Sequence, residues 1–155
     1  MKSKTLLVIL AVCLATGTAS FAANANMGTW KLNMKKSKIA KGMGHNSTVT
    51  YSSMLFQTKV TVDGVDAKGK PTHNEWTGMF DGRDHAVAGS AEEDTRAYTK
   101  IDDHTLQFVS KKGGKVTING KIVVSADGKS RTVTTETTDA KGKKHHNVAV
   151  YDKTG

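Results

Sequence analysis

Turn-forming residues recur at short, regular intervals along this chain, and this spacing constrains the fold more than any other feature of the sequence. The turns are rich in Asp-Gly, Gly-Gly and Lys-Gly-Lys, which supply the positive φ angles that tight hairpins need. From residue 66 onward they recur about every 10 to 15 residues, an interval that fits one strand and one turn. The turn sequences are DAKGK (66–70), DGRD (81–84), GSAEED (89–94), DD (102–103), KKGGK (111–115), ADGK (126–129) and DAKGK (139–143).

Between the turns, β-forming residues alternate with polar ones. The segment 115–124, KVTINGKIVV, carries an apolar residue or glycine at every second position from Val116 to Val124. The segment 130–138 is rich in threonine, which suits strands. No segment after residue 25 sustains a helical period. The predicted strands are 28–33, 47–56, 59–65, 72–80, 84–88, 95–100, 104–110, 115–124, 130–138 and 144–151.

Hairpin-linked strands of this kind predict an all-β fold, an antiparallel up-and-down meander. Such a meander buries its apolar faces and loses its edges by closing into a barrel, here of about 8–10 strands. A two-sheet sandwich is the alternative, but its crossovers need longer connections than most of these turns provide.

One nine-residue phrase occurs twice: DAKGKPTHN (66–74) returns as DAKGKKHHN (139–147). The two copies could be halves of a ligand site, a metal site or the same turn used twice. Both are flanked by predicted strands, and the similarity fades beyond the turn. We therefore interpret the repeat as shared turn chemistry.

The first 25 residues have the pattern of a secretory signal peptide. Two lysines precede an apolar run over residues 6–15, and small residues allow cleavage after Ala22 or Ala25. The run is too short for a membrane-spanning helix, which needs about 20 residues. We expect a periplasmic or secreted protein with a single barrel domain over residues 26–155.

Removal of the leader removes Cys13, the single cysteine, so the mature chain has no disulfide. The leader holds two of the 23 Lys and Arg residues and none of the 14 Asp and Glu, which leaves a mature net charge of +7. The charge lies in turns and not in a stripe interleaved with aromatic residues, so we expect no nucleic-acid partner. The net charge of +7 is also compatible with weak attraction to anionic envelope surfaces. We expect a monomer without a cofactor. The turn lysines are Lys68, Lys70, Lys111, Lys112, Lys129, Lys141, Lys143 and Lys144.

Two short stretches resemble known barrel families. Gly28-Thr29-Trp30 is similar to the G-x-W that opens the first strand of lipocalins, and GTWKL (28–32) to the first strand of fatty-acid-binding proteins. NVAVYDK (147–153) resembles the last strand of fatty-acid-binding proteins, which closes beside the first. The mature chain therefore resembles small exported bacterial lipocalin-like proteins of the calycin group.

This resemblance implies roles for particular residues. Trp30 would plug the closed end of the barrel, and Arg131 is the candidate for the arginine that stacks on that tryptophan in lipocalins. Tyr151 matches the tyrosine of an Arg-x-Tyr pair that holds a fatty-acid carboxylate, whereas Ala149 stands at the arginine position. The helical lid of fatty-acid-binding proteins has no counterpart, because only residues 34–46 separate the first two strands.

Strand alternation predicts a mainly apolar interior, which includes Leu106, Val116 and Val133. A few polar groups, such as Thr135, are expected among them. Ligand pockets have this character, and so does a filled core. Our leading hypothesis is an exported, non-catalytic protein that binds a small apolar or amphipathic molecule. The predicted ligand-binding residues are Asn74, Trp76, Phe80, Phe108, Ile118, Asn147 and Tyr151.

The alternative is a filled barrel that acts through its basic surface on a protein or the envelope. Metal binding through His73 and His146 is a weaker hypothesis, because the chain has no H-x-H or H-E-x-x-H spacing. Nothing indicates catalysis: the acidic residues 92–94 are expected in a polar turn, and no residue pattern supplies a nucleophile with its base.

Overall fold

The structure is a computed structural model that describes residues 24–155. The predicted signal peptide, residues 1–25, therefore lies almost wholly outside the described residues. Among residues 24–155, no helix is long and apolar enough to cross a membrane. A 3₁₀ turn at Met34–Lys36 follows the first strand. The strands are β1 (Gly28–Leu32), β2 (His45–Met54), β3 (Gln57–Val65), β4 (Pro71–Gly78), β5 (His85–Ala88), β6 (Thr95–Lys100), β7 (Thr105–Lys112), β8 (Lys115–Val124), β9 (Ser130–Thr138) and β10 (Lys144–Lys153).

These ten strands form one closed antiparallel barrel in which every strand pairs with its neighbours in sequence. β1 closes the circle, because it pairs with β2 on one side and with β10 on the other. Trp30, for example, lies opposite both Val49 and Lys153. The predicted up-and-down barrel is confirmed, and the alternative of a two-sheet sandwich is wrong.

The repeated phrase forms the same turn at both of its positions. The carboxylate of Asp66 accepts the backbone N–H groups of Lys68 and Lys70 at 2.8 and 2.9 Å. Asp139 does the same for the residues two and four positions later, both at 2.9 Å. Gly69 has a φ of 77°, and its counterpart in the second copy has a φ of 79°. The repeat is therefore shared turn chemistry, as predicted.

A β-bulge corrects one predicted face. Ser110 of β7 lies opposite Ile118, but the next residue, Lys111, lies opposite Val116, so Thr117 is an extra residue in β8. The extra residue shifts the strand's alternation by one position. Val116, predicted to face inward, is consequently 44% exposed.

The end of the barrel where β1 begins is closed by Trp30, which is fully buried. Its indole N–H donates to the carbonyl of Asn26 at 2.8 Å, so the residues before β1 fold beneath the barrel. The Arg131 guanidinium carbon lies 4.9 Å from the Trp30 ring centroid. The stacking that the lipocalin resemblance implied for these two residues is therefore present.

An aromatic layer, defined as Tyr51, Trp76, Phe80, Tyr98 and Phe108, packs above this closed end. Trp76 stacks on Phe80 at 6.1 Å between centroids and meets Tyr98 edge-on at 4.8 Å. Tyr98 in turn contacts Phe108 at 5.6 Å and Tyr51 at 6.3 Å. The layer fills the barrel on its closed side.

Glycine makes room for part of this layer. Gly120 lies directly opposite Phe108 in the ladder between β7 and β8. A Cβ at Gly120 would overlap the Phe108 ring. The inward position of this glycine therefore lets the ring lie flat against β8.

The hairpin between β2 and β3 carries a strained residue. Met54 pairs with Gln57, so Leu55 and Phe56 form a two-residue loop. Leu55 has a φ of 49° and is 94% exposed. A left-handed conformation costs such a residue about 1–2 kcal/mol, and Leu55 recovers little of that through burial.

We predict that Leu55→Asn will raise the free energy of unfolding by about 0.5–1 kcal/mol, because asparagine tolerates this φ. Urea denaturation measures the change. Phe56→Asn is the matched control, since Phe56 is also exposed but has a negative φ. If Phe56→Asn raised the free energy of unfolding as much as Leu55→Asn does, that result would contradict the explanation.

Candidate ligand-binding site

The opposite end of the barrel is not filled. Because neighbouring strands are antiparallel, the loops that follow β1, β3, β5, β7 and β9 all lie at this end, which we call the mouth. A cavity of about 360 Å³ lies inside it. Ligand pockets typically measure roughly 300–1,000 Å³. The mouth cavity is therefore large enough for a small molecule.

The segment between β1 and β2 forms one wall of the mouth cavity. Ile39 and Met43 contribute apolar side chains to the lining. Lys38 forms an isolated bridge with Val148 of β10. The side chain of Asn147 accepts the backbone N–H of Ala40 at 2.7 Å. The segment between β1 and β2, which begins with the 3₁₀ turn at Met34–Lys36, is thus fixed against β10.

Four of the predicted ligand-binding residues line the mouth cavity: Asn74, Ile118, Asn147 and Tyr151. Both asparagines also make hydrogen bonds within the protein. Asn74 accepts one from Arg96 at 3.2 Å, and Asn147 accepts the one from the backbone N–H of Ala40. They shape the cavity wall as well as offering their remaining polar groups to it.

The other three predicted residues lie deeper in the barrel. Phe108 lines a second, smaller cavity of about 50 Å³. Trp76 and Phe80 line neither cavity, which differs from the prediction. Phe80 lies beyond the end of β4, and both rings belong to the aromatic layer. Their inward orientation was predicted correctly, but their height in the barrel was not.

A buried ion pair, which the sequence analysis missed, lies at the wall of the mouth cavity. Glu93 was expected in a polar turn, yet it is 5% exposed and both of its carboxylate oxygens accept hydrogen bonds from Arg96. Arg96, 6% exposed, also donates to Asn74 and to the hydroxyl of Tyr98. The guanidinium of Arg96 thus neutralises the negative charge of Glu93, which the loop between β5 and β6 places inside the barrel.

The hydrogen-bonded chain continues from Arg96 into the core. Tyr98 accepts from Arg96 at 3.3 Å and from the hydroxyl of Tyr51 at 3.5 Å. Burial raises the pKa of Tyr98, and it raises the pKa of Tyr151 to about 12. Both hydroxyls therefore remain protonated at neutral pH.

One clue in the sequence could have revealed the buried arginine. Arg96 and Tyr98 are two apart on a predicted strand, so they share a face. If the aromatic Tyr98 is assigned to the inner face, Arg96 must face inward as well. The burial of Glu93 follows from the loop's path over the mouth, which local pattern does not reveal.

The histidines named for metal binding lie outside the barrel. His73 hydrogen-bonds Asp63 at 2.7 Å, and this bond raises the pKa of His73. A higher pKa favours the protonated imidazole, which cannot bind a metal. His146 lies 3.6 Å from a carboxylate oxygen of Glu136. Within residues 24–155, no three or more His, Cys, Asp or Glu are grouped to hold a metal ion.

The sequence matches no family model and no curated protein. Among solved structures, a redesigned β-barrel named mFAP1, bound to DFHBI, aligns with a TM-score of 0.48 and 15% identity over 85% of this chain and 98% of that one. A second redesigned β-barrel, b11L5F_LGL, aligns with a TM-score of 0.48 and 12% identity over 86% of this chain and 96% of that one. EF1p2_mFAP2b bound to DFHBI aligns with a TM-score of 0.48 and 11% identity over 86% of this chain and 97% of that one. Likenesses this weak say nothing about ligand or family, so the lipocalin-like relationship stays a prediction.

We predict that Trp76→Ala will lower the free energy of unfolding by about 3–5 kcal/mol, as truncation of a buried aromatic residue does. Trp76 is 1% exposed, and its indole N–H donates to the carbonyl of Arg96 at 2.7 Å. Trp76→Phe, which keeps most of the packing, should cost less. Urea denaturation gives both values. If Trp76→Ala kept nearly full stability but lost uptake of an uncharged probe such as 1-octanol, Trp76 would be a ligand contact instead.

Proposed function

We propose that this protein is an exported, non-catalytic binding protein that holds a small amphipathic molecule in the mouth cavity. The observation that carries the proposal is the uneven filling of the barrel: the closed side is packed with aromatic rings, and the mouth contains a cavity of about 360 Å³. The cavity wall mixes apolar and polar groups. The apolar residues are Ile39, Met43, Val65, Ile118 and Ala149, and the polar ones include Asn74, Arg96, Thr135, Asn147 and Tyr151.

The chemistry of the wall supports binding more than catalysis. Both oxygens of Glu93 are occupied by Arg96, so this carboxylate is poorly placed to accept a proton from a substrate. Ser110 is fully buried, and no group among the described residues hydrogen-bonds its Oγ. A serine without a neighbouring base is a weak nucleophile.

Filling the cavity tests the proposal directly. Thr135 faces the mouth cavity from β9, whereas its neighbour Thr134 is exposed on the outer face. Thr135→Trp should weaken binding of the uncharged probes 1-octanol and Nile red by about tenfold or more, because the indole would occupy the space. Calorimetry and dye fluorescence report the two affinities.

Thr134→Trp is the matched control and should leave both affinities within about twofold. Circular dichroism would confirm that both variants are folded. If the wild-type protein bound neither probe, or if Thr135→Trp bound both as well as the wild type, the cavity would not be the binding site. The basic surface would then be the better account of function.

Export is part of the same proposal, and contacts near Trp30 favour one cleavage site. The backbone N–H of Asn26 donates to the side chain of Asn24 at 3.0 Å, and Asn26 is 1% exposed. Cleavage after Ala25 would remove Asn24 and with it the hydrogen bonds from the backbone N–H and the side-chain amide of Asn26. Cleavage after Ala22 keeps both contacts.

We therefore predict that the exported protein begins at Ala23. Intact-mass measurement of protein recovered from the periplasm or medium after expression of the full chain distinguishes the two sites. A chain that begins at Asn26 would contradict the structural argument, and a chain that retains residues 1–25 would contradict export by signal cleavage.

A further inference from the structure

The exposed apolar side chains of this protein are concentrated at the closed end of the barrel. Eight large hydrophobic residues among residues 24–155 are exposed, and two of them, Met34 and Val116, lie toward the mouth. The other six lie in the loops after β2, β4 and β6 or at strand ends beside the closed end. We call these six residues the apolar arc: Met54, Leu55, Phe56, Met79, Ile101 and Val123.

The apolar arc follows the rim of the closed end across neighbouring strands. Met79 is the first residue after β4, which pairs with β3 of the hairpin that carries the first three members. Its neighbour Phe80 accepts the backbone N–H of the last residue of β6, and Ile101 comes directly after that residue. The N–H of Ile101 donates to the carbonyl of Thr105 on β7, and Thr105 lies opposite Val123 of β8. The arc therefore extends from β2 to β8.

The hairpin tip is the most exposed part of the apolar arc. Leu55 and Phe56 are 94% and 86% exposed, and Leu55 holds a left-handed conformation that its side chain disfavours. Backbone strain of this kind clusters at functional sites, where binding compensates for it. In a single barrel, little burial offsets the strain of Leu55. A partner surface that covered the tip would supply the missing contacts.

Charge distinguishes the two ends of the barrel. The loops at the mouth hold eight lysines against five acidic residues, so the mouth is basic. Around the closed end, cations and anions balance. Asp81 lies near Arg83, Lys100 pairs with Asp103, and Asp102 and Asp127 are matched in number by Lys129 and Lys153.

This distribution favours a second copy of the chain over an anionic membrane as the occupant of the apolar arc. Anionic lipid attracts clusters of basic residues, and those lie at the mouth, away from the arc. Two copies of a basic protein repel each other least when their basic regions are far apart. Contact between the two closed ends meets this condition, because the mouths then point in opposite directions.

The size of the apolar arc fits a weak dimer interface. The exposed fractions of its six side chains correspond to about 550–750 Å², at roughly 150–200 Å² for a large side chain. The largest apolar patch of a typical monomer measures about 300–600 Å². A standard interface buries about 800 Å² on each partner, which the arc and its polar neighbours reach together.

We propose that two copies of this protein associate through their apolar arcs in a two-fold dimer, closed end against closed end. In such a dimer the same surface serves both copies, so the Leu55–Phe56 tip of one protomer packs against the arc of its partner. Both mouth cavities stay open at the far ends, and the dimer therefore does not depend on the proposed function. The dimer replaces the monomer expected from the sequence.

Sedimentation equilibrium of the mature protein, without ligand or detergent, tests the dimer. We expect a reversible monomer–dimer equilibrium with a micromolar dissociation constant, as a small interface without optimised contacts gives. Phe56→Asn and Ile101→Asn remove apolar area from two parts of the arc, and each should weaken association by about tenfold or more. Met34→Asn is the matched control, since Met34 is about as exposed as Ile101 but lies toward the mouth. It should leave the dissociation constant within about twofold.

Spin labels test which ends are in contact, because the mature chain has no cysteine of its own. Lys129→Cys places a label near the closed end, and Lys141→Cys places one at the mouth. Electron–electron double resonance should give a shorter distance between copies for the label at 129 than for the label at 141. The reverse order, or oligomers that grow beyond dimers with concentration, would overturn the closed-end dimer.

The dimer also makes the effect of Leu55→Asn depend on protein concentration. Below the dissociation constant the substitution only relieves strain, so the gain in unfolding free energy predicted above should appear in full. Above the dissociation constant, loss of the leucine contact should reduce that gain. An equal gain at both concentrations would contradict the place of Leu55 in the interface.

A wild-type protein that stays monomeric up to millimolar concentration would overturn the dimer, as would a dimer that Phe56→Asn and Ile101→Asn leave unchanged. If the monomer instead sedimented with vesicles of phosphatidylcholine and phosphatidylglycerol, and Phe56→Asn but not Met34→Asn abolished this, the apolar arc would be a membrane contact. Binding of 1-octanol is expected in monomer and dimer alike. Its absence would therefore count against the proposed function and not against the dimer.

Discussion

The structure depends on closure of the barrel through β1. This strand has five residues, yet it pairs with both β2 and β10 and so removes the two edges that an open meander would expose. Trp30 fixes the strand in place: its ring is buried beneath Arg131, and its indole N–H is bonded to the segment that precedes β1. Because the circle closes here, all the inward side chains share one interior.

That interior is divided by side-chain size along the barrel axis. Large rings meet on the closed side, where Tyr51 contacts both Tyr98 and the guanidinium of Arg131. Toward the mouth the inward positions hold smaller residues such as Thr135 and Ala149, which leave the mouth cavity. The filled core and the open cavity, which were rival interpretations of the sequence, therefore occupy different halves of the same barrel.

The sequence predicted the fold well because its signals are local. Each hairpin carries its own turn chemistry, and each strand its own alternation, so strand number and order followed from short segments. The site was predicted only in part. A single extra residue at Thr117 reversed the face of Val116, and the height of a side chain in the barrel depends on the register between strands. The burial of the Glu93–Arg96 pair depends on the path of the loop between β5 and β6, and the surroundings of Arg131 depend on the way distant strands meet; alternation within one strand shows neither.

The central claim is that the open half of the barrel holds a small molecule. Native mass spectrometry of the mature protein, purified without detergent from the cells that produce it, tests this most directly. The account predicts a discrete added mass that is lost on denaturation and recovered by solvent extraction. A spectrum with the bare protein mass alone, together with no adduct after incubation with a broad panel of lipids and small metabolites, would contradict it.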